Sequence, residues 1–223
     1  GDVSPQDSRR ESSAPEFIVV ETELYRATFT TRGAALTSWE LKRYRSSSDG
    51  KPFVQLVRQR AKFAEPLTVT VDDTSHSKEI SEGIYGVEKD FTTLDQGHPT
   101  GHITFSYSNP ATGVRLEKRL TFHTESYVVD IALKYGGLTE AVKLGLGTNF
   151  GVVDWGEGFI GSVGAASLID DKIEHDMPEA ETELKGPVKW VALQDKYFIS
   201  ALIPKTSASA WPKKQGDKLI STA

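Results

Sequence analysis

From Phe17 onward, apolar and polar residues alternate over most of the chain, the period-two spacing of half-buried β-strands. Tyr25, Ala27 and Phe29 alternate with Arg26, Thr28 and Thr30. An Arg32-Gly33 turn follows, and Leu36, Trp39 and Leu41 carry the chain onward. Leu67, Val69 and Val71 alternate with Thr68, Thr70 and Asp72, and Ile103, Phe105 and Tyr107 with His102, Thr104 and Ser106. Each run predicts a strand, the second closed by an Asn109-Pro110 turn. The clearest unit is 113–135. Val114, Leu116, Leu120 and Phe122 share one parity; Arg115, Glu117, Arg119, Thr121 and His123 share the other. Past Thr124-Glu125-Ser126, the residues Tyr127, Val129, Ile131, Leu133 and Tyr135 fall on one face. This predicts a hairpin with one dry and one wet side. Lys118 intrudes on the dry parity, which predicts a bend or a sheet edge there. Residues 197–203 are apolar on both parities, predicting a strand covered on both faces, with Trp190 and Val191 opening a strand just before it.

Helical signals are weak. Phe53, Val54, Val57 and Phe63 give 53–63 a poor helical match, and Asp72-Asp73-Thr74-Ser75 reads as a strand-ending turn. Segment 136–188 is rich in glycine, with an acidic, loop-like stretch at 171–186, and no repeat stands out. The expected class is all-β, many strands in two stacked sheets. Residues 1–15, polar and containing Ser and Pro, read as a flexible lead-in.

Composition narrows the function classes. With 38% hydrophobic and 26% charged residues, the chain is neither a disordered acidic tail nor membrane-embedded. A net charge of −5 disfavours a nucleic-acid partner, which selects a basic face. Cysteine is absent, and with it disulfides, thiolate chemistry, Cys-bound zinc and iron–sulfur clusters. Methionine occurs once, at Met177. Gly1 is therefore not a natural start, and a signal or anchor upstream is compatible with the chain.

Candidate chemistry is sparse. The histidines are His76, His98, His102, His123 and His175, with no His-Glu-x-x-His spacing. His102 and His123 fall on the wet parity of their strands, where a solvent-facing imidazole is the ordinary outcome. Asp72-Asp73, Asp170-Asp171 and Glu88 with Asp90 pair carboxylates near turns, which usually stay solvated. Gly145-Leu146-Gly147 and Gly156-Glu157-Gly158 lack the strand-to-helix setting of a phosphate cradle. Lys42-Arg43-Tyr44-Arg45 is the densest basic run, a solvated strand end or, as the minority reading, a contact with anionic lipid. Trp39, Trp190, Tyr197 and Phe198 lie in apolar strands and read as core. Trp155, among glycines, reads first as packing and, as the minority reading, as an exposed aromatic platform for a sugar ring or peptide. No cofactor, metal or catalytic set is expected.

Several stretches together resemble the large periplasmic domain of the YidC membrane-protein insertase family. ETELYRATFTTRGAALTSWELKRY (21–44) resembles its opening strands, through Thr31-Arg32-Gly33, Leu36, Trp39 and Leu41. YGVEKDF (85–91) and the 115–135 hairpin are similar to later segments. WVALQDKYFISALIP (190–204) resembles the family's Trp-Val-Ala-x-Gln-x-Lys-Tyr-Phe run ending at Ile-Pro, and the resemblance spans about 17–204 in order. It implies a β-supersandwich akin to galactose mutarotases, in the periplasmic part of a bacterial inner-membrane protein. The implied role is non-enzymatic: assisting insertion of nascent membrane proteins, with SecD–SecF and the Sec translocon as partners. On that expectation 1–15 is the tether and 16–223 the domain. The family continues with further strands and a helix, so the domain is expected to be truncated at Ala223.

Two alternatives belong to other classes. A mutarotase-like enzyme needs a general base and acid in one cleft, for which His102, His123 and Glu157 are the candidates; fold kinship alone does not transmit that activity. A sugar- or peptide-binding sandwich would use Trp155 and Tyr85 as an aromatic groove floor.

Overall fold

The computed structural model describes residues 14–46, 50, 52–57, 64–147, 150–151, 164–174, 183–184, 186–206, 208–211, 213–215 and 218–220. Among them the strands are β1 (Phe17–Glu21), β2 (Tyr25–Thr30), β3 (Ala35–Arg45), β4 (Phe53–Gln55) and β5 (Val69–Thr70). One helix, α1 (Thr74–Glu82), precedes β6 (Gly86–Lys89), β7 (Thr100–Ser108), β8 (Arg115–His123), β9 (Asp130–Gly136) and β10 (Lys143–Leu144). Then come β11 (Gly164–Ile169), β12 (Lys172–Glu174), β13 (Val188–Gln194), β14 (Ile199–Leu202), β15 (Lys213–Gln215) and β16 (Lys218–Ile220). They form antiparallel sheets ordered β1-β2-β3-β4, β6-β7-β8-β9 and β12-β11-β13-β14, with ribbons β5–β10 and β15–β16. The all-β class read from the alternation is what the chain adopts.

Two cores follow from the alternation. In the first, Tyr25, Ala27 and Phe29 of β2 meet Ile103 and Phe105 of β7 and Leu116, Leu120 and Phe122 of β8. Phe29 centres this layer, its ring 6.1 Å from Phe105 and 5.8 Å from Phe122. In the second, Leu41 and Leu56 pack against Ile169, Val188, Val191 and Leu193. Trp39 packs against both cores, so the long strand β3 joins them.

The wet and dry parities of β8 are as its sequence predicts, residue by residue. Lys118 is the exception in its cause. It lies in an inner strand, not at an edge or bend, and is fully buried. Its Nζ donates to the carbonyls of Ala34 at 2.7 Å, Gly33 at 3.4 Å, and Leu67. All three residues hold positive φ: 65° at Gly33, 48° at Ala34 and 66° at Leu67. Two of the three are non-glycine, a costly backbone state that turns carbonyls inward toward the ammonium. Burial pulls the Lys118 amine down to about 7.

Three other expectations are corrected. Only Val69–Thr70 of the 67–71 run is strand, because Leu67 is in the left-handed region. Residues 53–55 form an edge strand rather than a helix; 58–63 lie outside the described residues. The turn expected at 72–75 instead opens α1, with Asp73 as N-cap. Only Ile80 of this helix is buried, so its apolar periodicity was too thin to read.

Candidate interaction surface

Among the described residues, the strand expected to be covered on both faces is the terminal strand of its sheet. In β14 and its flanks one face is bare: Tyr197, Ile199 and Ile203 are 64%, 60% and 67% exposed. The buried role belongs instead to its neighbour β13, whose Val191, Ala192 and Leu193 are buried on both parities. The two strands join through a turn built on Asp195. Its buried carboxylate accepts the Tyr197 and Phe198 N–H groups, each at 2.8 Å, and its own N–H donates to the Phe198 carbonyl at 2.9 Å. This turn fixes the Tyr197–Phe198 pair, with ring centroids 6.5 Å apart.

An aromatic chain runs from the core to that pair. Tyr25, fully buried, stacks on Trp39 at 4.2 Å and reaches Tyr127 at 6.3 Å. Burial, then the neighbouring Tyr44, raises the Tyr127 hydroxyl above its ordinary range, against the pull of Arg43. Tyr44, at the exposed end of β3, meets Phe198 edge to face at 5.4 Å. Beyond β14, Lys205 Nζ donates to Asp130 Oδ1 at 2.5 Å, tying this segment to the start of β9. Tyr44, Tyr127, Val128, Tyr197, Ile199 and Ile203 are all exposed; Tyr44 meets Phe198 on the side that packs on the second core, and Tyr197, Ile199 and Ile203 alternate to the opposite side. Arg43 and Arg45 continue the β3 end, and Lys196 lies 5.2 Å over the Tyr197 ring. Exposed apolar patches rimmed by charge are the usual signature of an interaction site. The Tyr197 and Phe198 assignment to core is therefore half right: Phe198 is partly buried and Tyr197 is exposed.

The two histidines considered for chemistry each meet a separate carboxylate. His102 Nδ1 lies 2.7 Å from Asp90 Oδ2, and His123 Nε2 lies 3.0 Å from Asp130 Oδ2. Both pairs are partly exposed on one face of the β6–β9 sheet, where His102 and Asp130 lie on either side of Thr121 and His123 lies one pair along, opposite Thr100. Asp90 is held below the carboxylate range first by the His102 backbone N–H, and Asp130 first by Lys205. Tyr85 is buried, its hydroxyl donating to the Ile80 carbonyl at 2.8 Å, so its ring is part of the core and offers no groove floor. Trp155 and Glu157 lie outside the described residues. No helix among the described residues is long and apolar enough to cross a membrane.

Comparison with known proteins gives the lineage. The family model described as the YidC periplasmic domain matches residues 17–220. The chain is 25% identical over 217 residues to a membrane protein insertase YidC from Maridesulfovibrio salexigens, covering 92% of this chain and 39% of that protein. A YidC insertase from Syntrophus aciditrophicus is 28% identical over 219 residues, with 92% and 39% covered. One from Geotalea uraniireducens is 28% identical over 206 residues, with 86% and 37% covered. The chain thus spans about two fifths of the length of these relatives. Matched from β1 to β16 by the family model and bearing the two-core β-sandwich described above, the chain belongs to the YidC periplasmic-domain family.

Proposed function

We propose that this chain is the periplasmic accessory domain of an inner-membrane protein insertase, and that it works by holding polypeptide rather than by transforming a substrate. The observation that carries the proposal is the bare apolar face formed by Tyr197, Ile199 and Ile203 on and beside β14, the strand that ends its sheet among the described residues. An extended segment can add to such an edge through main-chain hydrogen bonds, with alternate side chains seated on the apolar face. Hydrophobic stretches of nascent membrane proteins have that chemistry. SecD–SecF and Sec translocon components are the partners that the family resemblance suggests. The 1–15 lead-in suits a tether between this surface and a membrane anchor. The relatives are membrane protein insertases, which supports this reading.

The test replaces Tyr197, Ile199 and Ile203 together by serine. Binding of a fluorescent, extended apolar peptide and of purified SecD–SecF is measured alongside the melting temperature. Loss of about tenfold or more in affinity at unchanged melting temperature is expected, because few residues carry most of an interface's energy. Unchanged affinity for both ligands would refute the surface. Epimerisation of an aldose by the unmodified chain would refute the non-enzymatic role.

A further inference from the structure

A second constellation lies beside the first core, among α1, the β5–β10 ribbon and the loop after β9. The ribbon pairs Lys143 with Thr70 and Leu144 with Val69. Continuing that antiparallel register brings Glu140 opposite Asp73, at the start of α1. Asp73 caps the helix, its Oδ1 accepting the His76 N–H at 2.8 Å. His76, one turn along, presents Nδ1 at 3.1 Å from Glu140 Oε1 and 3.8 Å from Asp73 Oδ1. The other Glu140 oxygen, Oε2, accepts the Thr139 N–H at 2.9 Å, which aims Oε1 at the imidazole. One donor atom from each of the three residues falls within 4.8 Å of the others.

The backbone around this triad is anchored. Leu138 and Val142 pack on the first core, and Ile80 pins the helix. Gly137 sits at φ +74°, and a Cβ there would come 2.2 Å from the Gly113 carbonyl oxygen. Charge favours a cation: Asp73, Glu79 and Glu140 all act on the His76 imidazole, against Lys143 of the adjoining ribbon. That ammonium is already engaged by Asp72 at 2.8 Å. Two other imidazoles, those of β7 and β8, provide the contrast. His102 meets one carboxylate, and His123 meets one that Lys205 already neutralises.

We propose that Asp73, His76 and Glu140 bind a divalent first-row transition cation, zinc foremost, through one imidazole nitrogen and two carboxylate oxygens. Such ions take nitrogen and oxygen ligands at about 2.0–2.2 Å, so donors roughly 3–4 Å apart can share one ion, with water completing the shell. Mixed imidazole and carboxylate donors suit zinc over magnesium, which prefers all-oxygen shells. The ion displaces the His76–Glu140 contact rather than adding to it: Nδ1 gives up its proton to solvent and donates its lone pair to the metal.

The experiment is calorimetric titration of the metal-free chain with zinc chloride, beside imidazole NMR of the five histidines. The variants are His76→Gln, Glu140→Gln and Asp73→Ser, the last keeping a good N-cap while removing the carboxylate. One zinc per chain is expected, with the His76 resonances shifting first. Each variant is expected to weaken binding by roughly tenfold or more, while His102→Gln and His123→Gln leave it unchanged. No zinc binding, binding indifferent to the three variants, or displacement of zinc by equimolar magnesium would overturn the proposal. Circular dichroism of each variant separates lost ligands from lost fold. If Asp73→Ser unfolds α1, the isosteric Glu140→Gln decides alone.

Discussion

Replacing Lys118 by methionine keeps most of the side-chain volume and removes the ammonium that faces Gly33, Ala34 and Leu67. Two opposed effects then separate with pH. Three carbonyls lose their donor, and an unsatisfied buried acceptor costs about 1–3 kcal/mol. Against this, the charged amine pays for its own desolvation, which lowers it from 10.5 to about 7. At about 1.4 kcal/mol per unit, that difference is worth roughly 5 kcal/mol when the group is charged in both states. The sign is set by which state holds the proton. Below about 7 the folded and unfolded chains are both protonated, and the fold bears the whole penalty. Between about 7 and 10.5 the unfolded chain binds the extra proton, so stability rises with pH. Between pH 6 and pH 9 this contributes about 3 kcal/mol to the wild-type chain and nothing to the methionine variant. Urea unfolding of both proteins at the two pH values is the assay. The variant is expected to be less stable by about 3 kcal/mol at pH 9 and close to wild type at pH 6. An equal stability difference at both pH values would refute the assignment of Lys118 as a buried, titrating donor.

Two further outcomes concern the core and the β13–β14 turn. Phe29→Ala empties the junction of the Phe29, Phe105 and Phe122 rings and is expected to cost about 3–5 kcal/mol in urea unfolding; a loss under about 1 kcal/mol would show that the two sheets do not close on this ring. Asp195→Ala frees the Tyr197 and Phe198 N–H groups and is expected to cost about 1–3 kcal/mol, with Asp195→Asn recovering most of it. Partner affinity should fall with Asp195→Ala even where the domain stays folded, because the turn positions the exposed Tyr197; preserved affinity would count against that link.

Local alternation determined much of this protein. The parities of β7 and β8 reproduce the buried faces residue by residue, and those of β2 do so up to Thr30, which is buried on the wet parity, since a strand's side chains must point to opposite sides and only one side of each pair of sheets is dry. The ordered segments between Thr31-Arg32-Gly33 and Ile203-Pro204 likewise pointed to the family. Tertiary structure alone decided the rest. Residues 197–203 are apolar on both parities, yet composition cannot say that the strand ends its sheet and leaves one face bare. Lys118 broke the pattern because its partners are carbonyls of residues 33, 34 and 67, remote in the chain and turned by positive φ. Asp73 and His76 are local to a single helical turn, but Glu140 reaches them only through the β5–β10 register. Sites assembled across such separations depend on which strands pair, and pairing is set by the packing of whole sheets rather than by the residues that the pairing brings together.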